Sequence, residues 1–299
     1  MEKHGFYDIL KDFIFPFCLT LVSALVAWFV FFKQIIEERK KEKQSKRSDL
    51  KNKLTYFAMI VHNAIDNTKG QTLLINKLIE TMNDDGINSA VLSKHPLYDL
   101  KIVTEKIDIE SYLISYLEFY SHKDKLSTLE EFKKIIDSAG MINDVFNQVY
   151  ADLNSKHTFN LELQEKFYDQ LEESANLFGK CLHNFKNNKN PLFPEMWKIH
   201  QLLNTAKRIV GMEAILQQYN LFIKPLLEFL DSCNAKNIEF DVDTGNLWVI
   251  SSKTTNTFLN LQGETAHHKF RLSEDYNLLI ELTSFLEDSS SKLRNDFLS

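Results

Sequence analysis

Six cations stand against one carboxylate between Lys180 and Arg208, in the segment KCLHNFKNNKNPLFPEMWKIHQLLNTAKR. Lys180, Lys186, Lys189, Lys198, Lys207 and Arg208 give it a net charge of +5 with Glu195 counted. Phe185, Phe193 and Trp197 are interleaved with the cations, and His183 and His200 are close by in sequence. Cationic side chains neutralise phosphates, and aromatic faces stack on bases. Residues 187–194 add side-chain amides and the N–H groups of a following helix start. The segment reads in two ways. Lys180, His183, Lys186, Lys189, Trp197, Lys198, Lys207 and Arg208 form an anion site for a nucleotide or a short single-stranded nucleic acid. Otherwise they form a solvated basic loop whose aromatic rings belong to the core.

Other chemistry-bearing patterns are weaker. Asp241-x-Asp243-x-Gly245 has the start of a calcium loop but lacks its distal glutamate, and reads as a turn. His267 and His268 are adjacent, which in an extended strand points their rings to opposite faces, so two exposed strand histidines are expected rather than a metal site. His62 and Asp66 share a helical face at i, i+4. Cys18, Cys181 and Cys233 are widely spaced, without a CxxC pair, which fits a reducing compartment and neither a zinc site nor a disulfide framework. No phosphate loop, HExxH or GxSxG motif is present. The expectation is a protein that is not an enzyme and that uses no metal and no cofactor.

The elements that must carry the basic segment begin with two incompatible solvents joined end to end. Residues 13–32 contain no charge, and residues 37–49 contain no apolar side chain. Roughly 20 apolar residues span a hydrocarbon core of ~30 Å. The flank before the apolar run is not positive and no small-x-small cleavage site follows it, which argues against a signal peptide. Residues 33–53 hold nine Lys or Arg side chains. Basic flanks stay cytoplasmic, so residues 1–12 are expected outside and the remainder inside the cytoplasmic membrane. Glu42 and Lys46, among other pairs, support a charged helical stalk over 33–53 that lacks the apolar seam of a coiled coil. No Gly or Pro occurs between Phe17 and Thr68, so span and stalk read as one helix. Pro16, Thr20, Ser23, Ala24 and Ala27 share one face of it, and small residues let membrane helices approach closely. This face is expected at a homo-oligomer interface or lining a pore; otherwise the span is a plain anchor.

The body beyond the stalk, residues 54–299, carries a net charge of −10, which excludes a broad nucleic-acid surface. Composition is that of a folded chain, 44% hydrophobic and 12% aromatic, and only 8 Gly and 5 Pro among 299 residues favour long helices. Apolar periodicity predicts helices over 97–120, 128–153, 161–185 and 195–230. Breaks fall at 83–86, 95–96, 121–125, 155–158 and 187–194. Ser127 reads as an N-cap, and Pro225 as a kink or a new start. After Cys233 the alternation of Ile238, Phe240 and Val242 and the turn residues Asp243–Asn246 predict a β-hairpin, with a second around Gln262-Gly263-Glu264. Ser273 would then cap a closing helix. The expected fold is mainly α: a span at 13–32, a stalk at 33–53, a helical domain at 54–233, and a small antiparallel β-meander plus C-terminal helix at 234–299.

The uncharged run 13–32, the stalk 37–49 and the lack of catalytic motifs resemble, in layout alone, the single-pass membrane effectors of bacterial anti-phage defence systems. Hailong-type systems, with a membrane protein beside a nucleotide-polymerising partner, are one example. The resemblance implies an oligomeric channel or membrane-disrupting protein gated by a cytoplasmic nucleotide or short oligonucleotide. The alternative is a membrane-tethered scaffold for a cytosolic partner protein.

Overall fold

A computed structural model describes residues 14–82, 92–93, 97–120, 124–210 and 214–298. Phe13, the expected extracytoplasmic N-terminus, the breaks at 83–86 and 95–96, and Gly211 lie outside the described residues. Within them the chain is helical, with no strand. The principal helices are α1 (Phe15–Thr81), α2 (Ile109–Tyr120), α3 (Lys125–Asn187), α4 (Phe193–Ala206), α5 (Lys224–Ala235), α6 (Val242–Ser289) and α7 (Ser291–Leu298).

The backbone divides into two compact units. The first takes in the chain up to Met59, Ile107–Phe132 and the C-terminal segment from Lys292. Its core is aromatic. Phe57 of α1 packs against Tyr112 and Phe132, with ring centroids 5.6 Å away in each case, and Tyr116 meets Phe132 at 5.4 Å. The Tyr120 hydroxyl donates to Asp296 at 2.9 Å, while Phe119 meets Phe297 edge-on. Burial pushes the Tyr116 and Tyr120 phenols well above their ordinary range, so both stay protonated donors.

Among the described residues the apolar start of α1 has no such partners. It is long and apolar enough to cross a membrane, and none of its most apolar window is buried within the chain. The Thr20 hydroxyl donates to the Pro16 carbonyl at 2.6 Å and the Ser23 hydroxyl to Leu19 at 2.8 Å. These bonds satisfy both hydroxyls within their own helix, as an apolar solvent requires. Helix continues through the charged stretch, where Glu42 and Lys46 pair at 2.8 Å in full solvent.

The second unit comprises Ile60–Lys106 and Lys133–Ser291. Its central pair is α3 against α6. Ser174 lies opposite Thr254, Gln170 opposite Thr257, Phe167 opposite Phe258, Lys156 opposite Glu264 and Asp152 opposite Arg271. Numbers rise on one helix as they fall on the other, so the two run antiparallel. The main core joins Phe178 and Cys181 of α3, Met196, Ile199 and Leu203 of α4, Phe222, Leu226 of α5 and Leu247 of α6.

The predicted β-meander is not there: residues 242–289 are one helix. Asp241 caps it, its Oδ1 accepting from the Thr244 N–H at 2.7 Å. The buried face reads Leu247, Ile250, Thr254, Phe258, Leu261, Thr265, His268, Leu272, Leu279, Thr283 and Leu286, a period of three and four. Counting apolar residues alone misses this period, because hydroxyl residues complete the stripe. The hydroxyls of Thr254, Thr265 and Thr283 each donate to the carbonyl four residues back, which lets threonine act as a compact apolar group. The three-residue alternation at 238–242 is too short to compete.

Four smaller expectations also change. Residues 155–158 lie inside α3 instead of breaking it. Ser127 is not the cap, since Asp124 Oδ1 accepts from the Leu126 N–H two residues earlier. Ser273 is interior to α6 and donates to the Lys269 carbonyl. The helix predicted over 195–230 ends at Ala206, and Pro225 sits in the first turn of α5 behind a π-helical turn, Tyr219–Ile223. Proline lacks an N–H and crowds the carbonyl four residues back, and the wider turn before it relieves both.

Gly245 and Gly263 test the helical assignment. Nothing lies within 4 Å of a Cβ added at either position. Gly245→Ala and Gly263→Ala are expected to raise unfolding stability by about 0.5–1 kcal/mol each, as helix-interior replacements do. Hairpin-turn glycines with positive φ would respond with a loss. Urea denaturation of each variant decides the sign.

Candidate functional site

The basic segment folds as a helical hairpin, α3 to α4. α3 closes with paired hydrogen bonds, Asn190 N–H to the Phe185 carbonyl at 2.9 Å and Lys189 N–H to the Lys186 carbonyl at 3.3 Å. That geometry needs a left-handed residue, and Lys189 fills the place with φ 51°. Asn190 Oδ1 then accepts from the Leu192 N–H, and Pro194 enters the first turn of α4.

All eight predicted site residues are exposed. Lys180, His183 and Lys186 stand on the last turns of α3 and Lys189 in the tight turn; Trp197 and Lys198 are on α4, and Lys207 and Arg208 follow its end. His183 Nε2 and Asn187 Nδ2 are 2.9 Å apart. The 14 residues of α4 separate the tip from Lys207 by roughly 20 Å at 1.5 Å per residue. Lys186 and Lys189 thus share one end of the hairpin, and Lys207 and Arg208 occupy the other.

The aromatic rings divide. Phe185 and Phe193 pack on the core, whereas Trp197 is 45% exposed. Trp197 stacks on His200 at 5.1 Å and lies 6.0 Å from Phe193. Cys181, next to Lys180 in sequence, turns inward, and burial pushes its thiol up to about 11. It is a packing residue at neutral pH.

At the Lys207 end a cavity of 360 Å³ opens between α3, α4 and the π-helical turn. Tyr168, Glu172 and Asn176 line it from α3, with Lys207, Gln218 and Phe222 opposite. Sequence reading missed all of these except Lys207. A signal was available in Tyr168, Glu172 and Asn176, which follow one another at i, i+4 on a helix whose neighbouring faces are apolar.

The adjacent histidines are placed differently from expectation. They lie on α6, not on a strand, and only His268 is buried. Burial holds its imidazole below the ordinary value of 6.5; Lys156 and Arg271 push the same way, and Asp152 opposes them. Among the described residues no cluster of three or more His, Cys, Asp or Glu side chains is arranged to hold a metal. His62 and Asp66 approach to 3.6 Å.

Three outcomes are expected. The unfolded chain binds a proton at His268 more readily than the folded one, so stability is full above pH 6.5 and falls as pH drops below it. Urea titrations between pH 7.5 and 5 should show that fall, and His268→Gln should flatten it. Lys189→Gly should stabilise by about 1 kcal/mol through relief of the left-handed strain. Lys186→Glu with Lys189→Glu should leave folding within about 0.5 kcal/mol. Where the segment acts as an anion site, that pair should weaken oligonucleotide binding and parental affinity should fall as salt rises; as a solvated loop it should do neither.

Comparison with protein-family models, with curated proteins and with solved structures finds no match for this chain.

Proposed function

We propose that this chain is a homo-oligomeric, single-pass protein of the cytoplasmic membrane, with its N-terminus outside and its helical body in the cytoplasm. In this reading it is a channel or membrane-disrupting effector, gated by a nucleotide or short oligonucleotide at the α3–α4 hairpin, and it serves anti-phage defence. One observation carries the proposal: residues 15–32 of α1 expose a continuous apolar surface for which the described residues offer no cover. Such a surface needs lipid or other copies of itself.

The small face supports assembly. Pro16, Thr20, Ser23, Ala24 and Ala27 lie together, while Phe15, Leu19, Val22, Val26 and Phe29 supply bulk elsewhere on the helix. A single helix cannot enclose water, so conduction requires several protomers. The back-bonded hydroxyls of Thr20 and Ser23 keep a free lone pair to accept across an interface. Lys and Arg residues in the stalk favour the cytoplasmic side and anionic headgroups.

A second reading, a membrane-tethered scaffold for a cytosolic partner protein, uses the same anchor without a pore. The Thr20→Leu, Ser23→Leu double variant separates the two. It should still insert, because it gains apolar surface. Conductance in liposomes and oligomer size by native mass spectrometry should both drop. A double variant that assembles and conducts like the parent leaves the face as lipid-exposed anchor only. A parent that binds membranes but never conducts favours the scaffold.

A further inference from the structure

The cavity beside Lys207 has a composition that a structural gap does not need. Gln218 Oε1 is buried and has no hydrogen-bond partner among the described residues, while its Nε2 donates weakly to the Ile209 carbonyl at 3.5 Å. A buried acceptor left unmade costs stability. Glu172 and Lys207 line the same cavity without pairing to each other or to another described residue. Tyr168, 42% exposed, supplies an aromatic wall, the fully buried Phe222 closes the floor behind it, and Asn176 adds a further amide. At 360 Å³ the space lies near the low end of the roughly 300–1,000 Å³ of small-molecule sites.

We propose that this cavity is a mononucleotide pocket that takes a base bearing an exocyclic amino group. The inference rests on the nucleotide reading of the hairpin and gives it a specific seat. Each part of a nucleotide meets one lining group. The base lies against Tyr168, and its amino group donates to Gln218 Oε1 once that amide, held only by its 3.5 Å bond to Ile209, turns toward the cavity, completing the orphan acceptor. The Glu172 carboxylate accepts from ribose hydroxyls, and the Lys207 ammonium pairs with the phosphate. The opposed charges set the direction of the ligand, because a phosphate placed at the Glu172 side is repelled.

The test uses the full chain in detergent, with AMP, IMP, adenosine and inorganic phosphate as probes in equilibrium dialysis. AMP should bind more tightly than IMP, which carries a carbonyl where AMP has its amino group. Lys207→Ala should weaken AMP about tenfold or more and leave adenosine unchanged. Gln218→Leu should abolish the preference for AMP over IMP while thermal stability holds or rises, since an orphan acceptor has been removed. The rise in stability guards against mistaking a misfolded variant for a binding defect. If AMP binds and only Lys186→Glu with Lys189→Glu weakens it, the nucleotide reading stands and this pocket is wrong. If inorganic phosphate binds as tightly as AMP and adenosine does not bind, the site takes a bare anion and the ligand class is wrong. If none of the nucleotide probes binds the parent, the pocket assignment falls, and titration of a short oligonucleotide against the same chain decides the hairpin reading separately.

Discussion

A threonine hydroxyl bonded to the carbonyl one turn back asks nothing of the neighbouring helix, and α6 is built on that economy. Thr254, Thr265 and Thr283 sit in its buried stripe as small branched groups. They let α6 lie close along α3, where Ser174 and Gln170 supply the few polar contacts across the seam. Ion pairs from Lys156 to Glu264 and from Asp152 to Arg271 mark one end of it. The other end opens into the large aliphatic and aromatic core around Phe178 and Leu226. The hairpin that carries the basic residues, and the cavity beside it, are held by this pair, since Phe178 and Cys181 anchor α3 beneath α4.

Legibility along the chain followed how purely each segment was written. The run of apolar residues before Phe32 and the charged run after Ile36 each belong to one solvent, and one helix follows directly. Residues 97–120 and 161–185 show their period in Leu, Phe and Tyr, and helices cover most of both stretches. Residues 242–289 hide the same period, because Thr, Ser and His occupy a third or more of the buried positions. Two glycines near Asp and Asn then mimic turns. Whether a glycine ends an element depends on its φ, and no residue type reveals that.

The site was legible as charge and illegible as shape. Lysines and arginines announce themselves by type, yet their helices spread them over two ends of a hairpin. The cavity is made by residues from Tyr168 to Phe222 that meet only after α3, α4 and the π-helical turn have packed. None of them is unusual alone. Gln218 becomes informative only because its amide oxygen is enclosed, a property of packing and not of sequence.

The position of α6 also governs how the molecule is made. Its contacts to α3 bridge from 80 residues of sequence, Ser174 to Thr254, up to 119, Asp152 to Arg271. Long-range contacts form late, and chains fold from the N-terminus as they leave the ribosome. α1 precedes α6 in the chain, so its apolar start is synthesised well before the helix that closes the core of the second unit. Until α6 is made, the flank of α3 that it covers stays open, and that flank is the apolar surface a chaperone would meet in the interval.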